Sequence, residues 1–234
     1  MLKQKARIID IFSSIQGEGI FLGAKQIFVR FAGCNMNCVF CDEEKNAEGK
    51  KYTPLELMTE VKFLELNKGG HHSVSLTGGE PLMQPEFLRV FLKLLKKEGF
   101  KTYLETNGTL PQELDKIVDS VDIIAMDFKL PSSTAERPYW DEHLEFLKIA
   151  MKTKVFVKAI VTQYTAADDI VKVAELVRSV NPKIPLILQP ATPVKGIEGS
   201  VDTKTLFGFL DTVSKTNLEN VRVIPQAHKA LNVK

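Results

Sequence analysis

Short apolar runs rich in β-branched and aromatic residues alternate along this 234-residue chain with segments whose apolar positions recur at helical period. Seven runs read as strands: "QIFVRFAG" (26–33), "SVSLTGG" (73–79), "TYLETNG" (102–108), "IIAMDFKL" (123–130), "VFVKAIVT" (155–162), "PLILQPAT" (185–192) and "VRVIPQ" (221–226). Each is bounded by glycine, proline or a polar turn. Between them, Leu88, Phe91, Leu92 and Leu95 fall at i, i+3, i+4 and i+7. The same spacing joins Ile170, Val173, Ala174 and Val177, and again Leu206, Phe209, Leu210 and Val213. Each set is the apolar stripe of a helix facing a core. "YTPLE" (52–56) marks a helix start, with Thr53 as cap, Pro54 in the first helical position and Glu56 completing a capping box.

Strands that alternate with helices pair in parallel through crossover connections. About six such units fall short of the eight that close a barrel of about 250 residues. The expected fold is α/β, an open, partial TIM-like barrel. No linker, repeat or low-complexity run divides residues 1–234, so one domain is expected.

Composition narrows the function classes. Hydrophobic residues make up 44% of the chain, enough for one sizeable core. Lys+Arg (31) nearly balance Asp+Glu (29), and no basic run stands out as a nucleic-acid or membrane footprint. The start "MLKQKARIIDIF" lacks the long apolar stretch of a membrane span and the small-residue cleavage site of a leader, so a cytoplasmic protein is expected. In that reducing compartment, three clustered cysteines point to metal or redox chemistry and away from disulfides.

Those cysteines are Cys34, Cys38 and Cys41, spaced C-x-x-x-C-x-x-C in the loop that Gly33 begins after the first of the seven strands. Folds of this type collect their active groups at the C-terminal strand ends. A four-iron, four-sulfur cluster normally takes four thiolates, and three would leave one iron open to a ligand, as in catalytic metal sites. The alternatives are structural zinc completed by His71, His72, His143 or His228, and three unligated thiols. Three more polar stretches end strands. In "LTGGEP" (76–81), Gly78 and Gly79 let a ligand approach the backbone, and Glu80 suits an ammonium group. "ETNG" (105–108) offers Asn107, and "LQPATP" (188–193) offers Gln189. Each stretch by itself is also an ordinary turn signal.

The cysteine spacing followed by "GGEP" resembles the radical S-adenosylmethionine superfamily. The resemblance implies a cluster whose open iron chelates S-adenosylmethionine, with the GGEP segment at the cofactor's amino group, and reductive cleavage to a 5′-deoxyadenosyl radical. "FSSIQGEGIFLGAKQIFVRFAGCNMNC", "TGGEPLMQ", "LETNGT", "MDFKLPSS", "LQPATP" and "VRVIPQAHK" further resemble the 7-carboxy-7-deazaguanine synthase family along nearly the whole chain. That resemblance implies conversion of 6-carboxy-5,6,7,8-tetrahydropterin to 7-carboxy-7-deazaguanine in queuosine-type biosynthesis, with magnesium, a homodimer and an electron donor such as flavodoxin or ferredoxin. It implies a pterin pocket from Gln16 and Glu18 in "IQGEG", with Arg30, Thr77 and His228, and cofactor contacts from Asp42, Asn107, Lys129 and Gln189 beside the GGEP residues. As polar groups, Gln16 and Glu18 suit the donor-rich edge of an aminopyrimidinone, and Arg30 suits a carboxylate; a hairpin turn and a structural ion pair are the plainer readings. Two departures stand out. Glu43 occupies the place of a hydroxyl residue associated with magnesium: either it ligates the ion as a carboxylate or the metal is absent. "MDFKLPSS" lacks the commoner Ser-Pro-Lys pattern. Two rivals are a glycyl-radical activase and a non-catalytic iron-sulfur or zinc protein.

Overall fold

A computed structural model of the chain describes residues 4–41, 47–194, 197 and 199–233. It opens with an antiparallel pair, β1 (Ala6–Ile15) and β2 (Lys25–Phe31), and β1 carries a short outer strand, β3 (Lys50–Tyr52), on its other side. From β2 onward every pairing is parallel. The order is α1 (Pro54–Lys68), β4 (Ser73–Gly78), α2 (Pro85–Lys97), β5 (Thr102–Thr106), α3 (Pro111–Asp115), β6 (Ile123–Phe128), α4 (Pro131–Thr134), α5 (Trp140–Ala150), β7 (Lys154–Val161), α6 (Ala167–Val180), β8 (Leu186–Pro190), α7 (Thr203–Ser214), β9 (Val221–Val223) and α8 (Ala227–Leu231). Among the described residues, nine strands form one sheet, ordered β3-β1-β2-β4-β5-β6-β7-β8-β9, whose ends do not pair with each other. This is the open, partial barrel expected, with all seven expected strands as its parallel run and the antiparallel β1 and β3 added at one edge.

Local chemistry explains the helices. Thr53 Oγ1 accepts from Glu56 N, the Glu56 carboxylate accepts from Thr53 N, and Pro54 leads α1, as the sequence implied. The stripes on α2 and α6 are buried in full. On α7 only Phe209 and Val213 are buried, while Leu206 and Leu210 are half-covered. That helix lies against the short outer strand β9, where less sheet is available to cover it.

Apolar residues separate into two clusters. The larger lies between the sheet and its helices. The smaller, formed by Tyr103, Ile123, Ala125, Phe156 and Ile187, has Ile20 and Phe21 packed against it. Phe21, in the turn Gly19–Phe21 between β1 and β2, meets Tyr103 edge-on at 5.7 Å between ring centroids and also contacts His72 and Lys154. His72 precedes β4 and Lys154 begins β7, so Phe21 plugs the N-terminal end of the parallel strands. Gly19 makes the plug possible: it adopts φ +63°, and a Cβ there would stand 2.4 Å from the Phe156 ring. The C-terminal ends are left for a ligand. No helix among the described residues is long and apolar enough to cross a membrane.

Candidate active site

Two residues along each strand from the apolar plug, the side chains become polar. Glu105 follows Tyr103 on β5, Asp127 follows Ala125 on β6, Lys158 follows Phe156 on β7 and Gln189 follows Ile187 on β8. Alternation along a strand sends each pair to the same face. The β6–β7 register sets Asp127 beside Lys158, and Lys158 Nζ lies 3.2 Å from Asp127 Oδ1 and 2.5 Å from Glu18 Oε2. Glu18 arrives from the loop after β1, and its Oε1 accepts from Gln226 Nε2 at 2.9 Å. Burial alone would push the Glu18 carboxyl up, but the Lys158 charge and hydrogen bonds overcome it and hold the group at about 2. Gln189 stands near enough to Glu18 to favour that charge, yet neither of its buried amide atoms has a hydrogen-bond partner of ordinary geometry. Such a group calls for a ligand.

Gln16, also buried, donates from Nε2 to Gln26 Oε1 and to Glu105 Oε1, both at 2.9 Å, and its Oε1 accepts from Glu18 N at 3.0 Å. Ser75 and Thr77 hydroxyls donate to the Glu105 carboxylate. Arg30 lies on β2 opposite Thr77 of β4, with its guanidinium 5.8 Å from the centre of the Phe12 ring. His228, in α8, packs on Gly17, where a Cβ would stand 2.2 Å from the His228 Nδ1. The amide of Ala227 donates to Gly17 O at 2.9 Å, so the C-terminal helix is fastened over the "IQGEG" loop.

The opposite end of the cavity is the cysteine loop. Glu80 N donates to Gly33 O at 2.8 Å, and Gly79 packs so closely on Gly33 that a Cβ would stand 1.9 Å from the same carbonyl oxygen. Asn107 Nδ2 donates to Asn35 Oδ1 at 2.8 Å and lies 3.8 Å from Cys34 Sγ, while its Oδ1 accepts from Thr109. Burial pushes the Cys34 and Cys38 thiols up, against the nearby Lys129 charge. Lys129 is paired with Asp127 at 2.9 Å, and its ammonium sits 5.4 Å from the centre of the Phe40 ring. Burial lifts Glu80 to about 7, with its carboxylate accepting from Leu82 N, Thr106 Oγ1 and Asn107 N. Beneath Asn107, the wholly buried His143 donates from Nε2 to the Asn107 carbonyl at 3.0 Å, and burial lowers it to about 4. Its Nδ1 has no partner.

One open cavity, with about 1340 Å³ of atom-free space including its mouth, joins both ends. The three cysteines, Gly78, Gly79, Asn107, Lys129 and Gln189 line it, as do Gln16, Glu18, Arg30, Thr77 and His228. Glu80 does not: its buried carboxylate accepts from Leu82 N, Thr106 Oγ1 and Asn107 N. Asp42 and Glu43 lie outside the described residues. Among the histidines proposed as zinc ligands, His71 and His72 precede β4 and so sit at the opposite strand ends from the cysteines, and His143 is held by Asn107 and tilted against the Phe128 ring, 4.2 Å between centroids. Among the described residues, no three Cys, His, Asp or Glu side chains converge on the position of a single metal ion. The sequence reading passed over Glu105, Asp127, Lys158 and Gln226. The available signal was an isolated charge inside an apolar strand, as in "VFVKAIVT".

Comparison with known proteins places this arrangement. Residues 28–177 match the family model described as the radical SAM superfamily. The chain is 36% identical to the 7-carboxy-7-deazaguanine synthase of Geobacter sulfurreducens, over 98% of each chain. It is 35% identical to the protein of that name from Methanothermobacter thermautotrophicus, over the full length of both. Its fold resembles the crystal structure of QueE from Escherichia coli, with a TM-score of 0.62 at 21% identity over 95% of this chain and 94% of that one.

Proposed function

We propose a mechanism from the premise that this chain belongs to the radical S-adenosylmethionine superfamily and, within it, to the 7-carboxy-7-deazaguanine synthase family. It is an enzyme that converts 6-carboxy-5,6,7,8-tetrahydropterin to 7-carboxy-7-deazaguanine with release of ammonia, in queuosine-type deazapurine biosynthesis. The observation that carries the mechanism is the single cavity with thiols at one end and fixed carboxylates at the other.

The residues fit the family's cofactors. Cys34, Cys38 and Cys41 would hold three irons of a four-iron cluster, and Gly78 and Gly79 leave bare backbone beside them for the methionyl end of S-adenosylmethionine. The unpartnered amide of Gln189, with Asn107 and Lys129, would meet the rest of that cofactor. When bound, cluster and cofactor would supply a 5′-deoxyadenosyl radical that takes a hydrogen atom from the substrate and gives one back, because loss of ammonia alone leaves the net oxidation state unchanged. The protein's part is to bind, orient and exclude water. Asn107 ties the cysteine loop to β5 and so fixes the thiols relative to the strand that carries Glu105. Glu18 offers a fixed anion to the N–H edge of the pterin's aminopyrimidinone, and Gln16 locks Glu18 and Glu105 to one another. Arg30 supplies the cation for the pterin carboxylate, and Thr77 and His228 line the space between. Magnesium with Glu43 as ligand, Asp42 as a cofactor contact, a flavodoxin-like or ferredoxin-like donor, a homodimer and a cytoplasmic site complete the proposal. They rest on family membership.

The test is to incubate the anaerobically reconstituted, reduced protein with S-adenosylmethionine and the carboxytetrahydropterin. The expected product is lighter by ammonia alone, formed in excess over the S-adenosylmethionine consumed. Glu18→Ala and Arg30→Ala should keep slow 5′-deoxyadenosine release but lose product formation by about a hundredfold, because a reacting carbon misplaced by about 1 Å costs that much. A wild-type protein that releases 5′-deoxyadenosine and makes no such product contradicts the pterin assignment and points to another radical reaction.

A further inference from the structure

Glu18 is held from three directions. Lys158 on β7 pairs with Oε2 at 2.5 Å, Gln226 before α8 donates to Oε1 at 2.9 Å, and Gln16 accepts from the Glu18 amide at 3.0 Å. The surroundings are unusually rich in acid for a buried place. Asp127 on β6 lies 3.2 Å from the same ammonium, Glu105 on β5 shares Gln16 with Glu18, and Tyr103 lies below Glu105 on the same strand. His228 of α8 lines the same cavity. Lys129, the other cation of this layer, is committed to Asp127 at 2.9 Å.

We propose that Lys158 is a positioning residue for recognition of the pterin: it keeps Glu18 an anion with a fixed orientation, and thereby makes the pocket select a ligand edge carrying two adjacent N–H donors. The inference deepens the function proposed above and rests on it. An ionised carboxylate only accepts hydrogen bonds, whereas a neutral carboxyl donates one. The ring N–H and exocyclic amino group of an aminopyrimidinone present two donors side by side, so a protonated Glu18 would set donor against donor. Without Lys158, burial and the negative charges of Glu105 and Asp127 all favour the protonated form. Lys158 thus acts on the substrate through Glu18.

The experiment measures binding without turnover. The holoenzyme, with S-adenosylmethionine and no reductant, is titrated with 6-carboxypterin, which keeps the aminopyrimidinone edge, from about pH 5.5 to about pH 8. The quantity read is the ratio of variant to wild-type Kd at each pH. For Lys158→Met, Glu18 is raised and neutral at the acid end, so affinity should be lost by about tenfold or more there. The loss should shrink as rising pH ionises Glu18. Lys158→Arg, which keeps the charge, should give a ratio that does not change with pH. In the background of Glu18→Gln, adding Lys158→Met should cost less than about twofold further, since the two act as a unit. The double variant buries neither charge, so it remains informative if Lys158→Met alone does not fold. A Lys158→Met loss that is uniform across pH, or losses that multiply in the double variant, would overturn the proposal. Failure of the wild type to bind 6-carboxypterin would instead overturn the pterin reading and this inference together.

Discussion

His143 stays neutral in the fold because it is wholly buried, packed against the Phe128 ring and committed through Nε2 to the Asn107 carbonyl. Its folded value of about 4 lies below the ordinary 6.5. A histidine lowered in this way keeps its full contribution to stability above the unfolded value and loses it as pH falls toward the folded one, because the unfolded chain takes up the proton first. Between pH 7 and pH 5 the expected loss from this residue is about 2 kcal/mol. Glu80 has the opposite sign: raised to about 7, it stabilises increasingly as pH falls. Comparing wild type with His143→Gln by urea denaturation at the two pH values cancels Glu80, which both proteins contain. The variant should lose about 2 kcal/mol less than the wild type on acidification; an equal loss would mean that His143 is charged in the fold. At this scale, the cysteines and glycines were legible in the sequence because thiol chemistry and a missing Cβ belong to the residue type. Lys158, Asp127, Glu105 and Gln226 were not. Their role depends on strand register and on a loop that arrives 140 residues away from its partner lysine.

Among the elements, the contact between the loop after β2 and the loop after β4 matters most for the thiols. Gly79 sits where a methyl group would overlap the Gly33 carbonyl, and Gly78, at φ +120°, presses equally on the Phe31 backbone. Gly79→Ala must therefore push the cysteine loop away from β4. An overpacked contact of this kind costs about 1–3 kcal/mol. Because the site tolerates little looseness, iron retained after anaerobic reconstitution should fall below about half of the wild-type content. Full iron content with unchanged thermal stability would show that the loops move apart at no cost. Element identity was largely legible: the capping box of α1 and the stripes of α2 and α6 are local, and local patterns survive folding. The antiparallel β1 was missed because its apolar positions, Ile8, Ile9, Ile11 and Phe12, do not alternate cleanly, and most of its residues are only half-covered. β3 has three residues, too few for a period to show.

At the scale of the whole molecule, an incomplete barrel needs something to close its floor, and Phe21 with its neighbours does so from the β1–β2 loop. The same loop then delivers Gln16 and Glu18 upward, while the loops after β2 and β4 bring the cysteines and glycines to the other end. One open sheet therefore brings the thiols and the fixed polar groups of the proposed pterin pocket into a single open cavity. The most direct measurement of that arrangement follows a single atom. Carboxytetrahydropterin carrying deuterium on its saturated ring carbons is incubated with the reduced, reconstituted enzyme and unlabelled S-adenosylmethionine, and the recovered S-adenosylmethionine and the 5′-deoxyadenosine are examined by mass spectrometry. If the two ends of the cavity hold the two reactants together, deuterium enters the 5′-deoxyadenosyl group, in the recovered S-adenosylmethionine and in any 5′-deoxyadenosine released, while the deazapurine forms. Release of unlabelled 5′-deoxyadenosine at the same rate with and without the pterin would contradict a shared site.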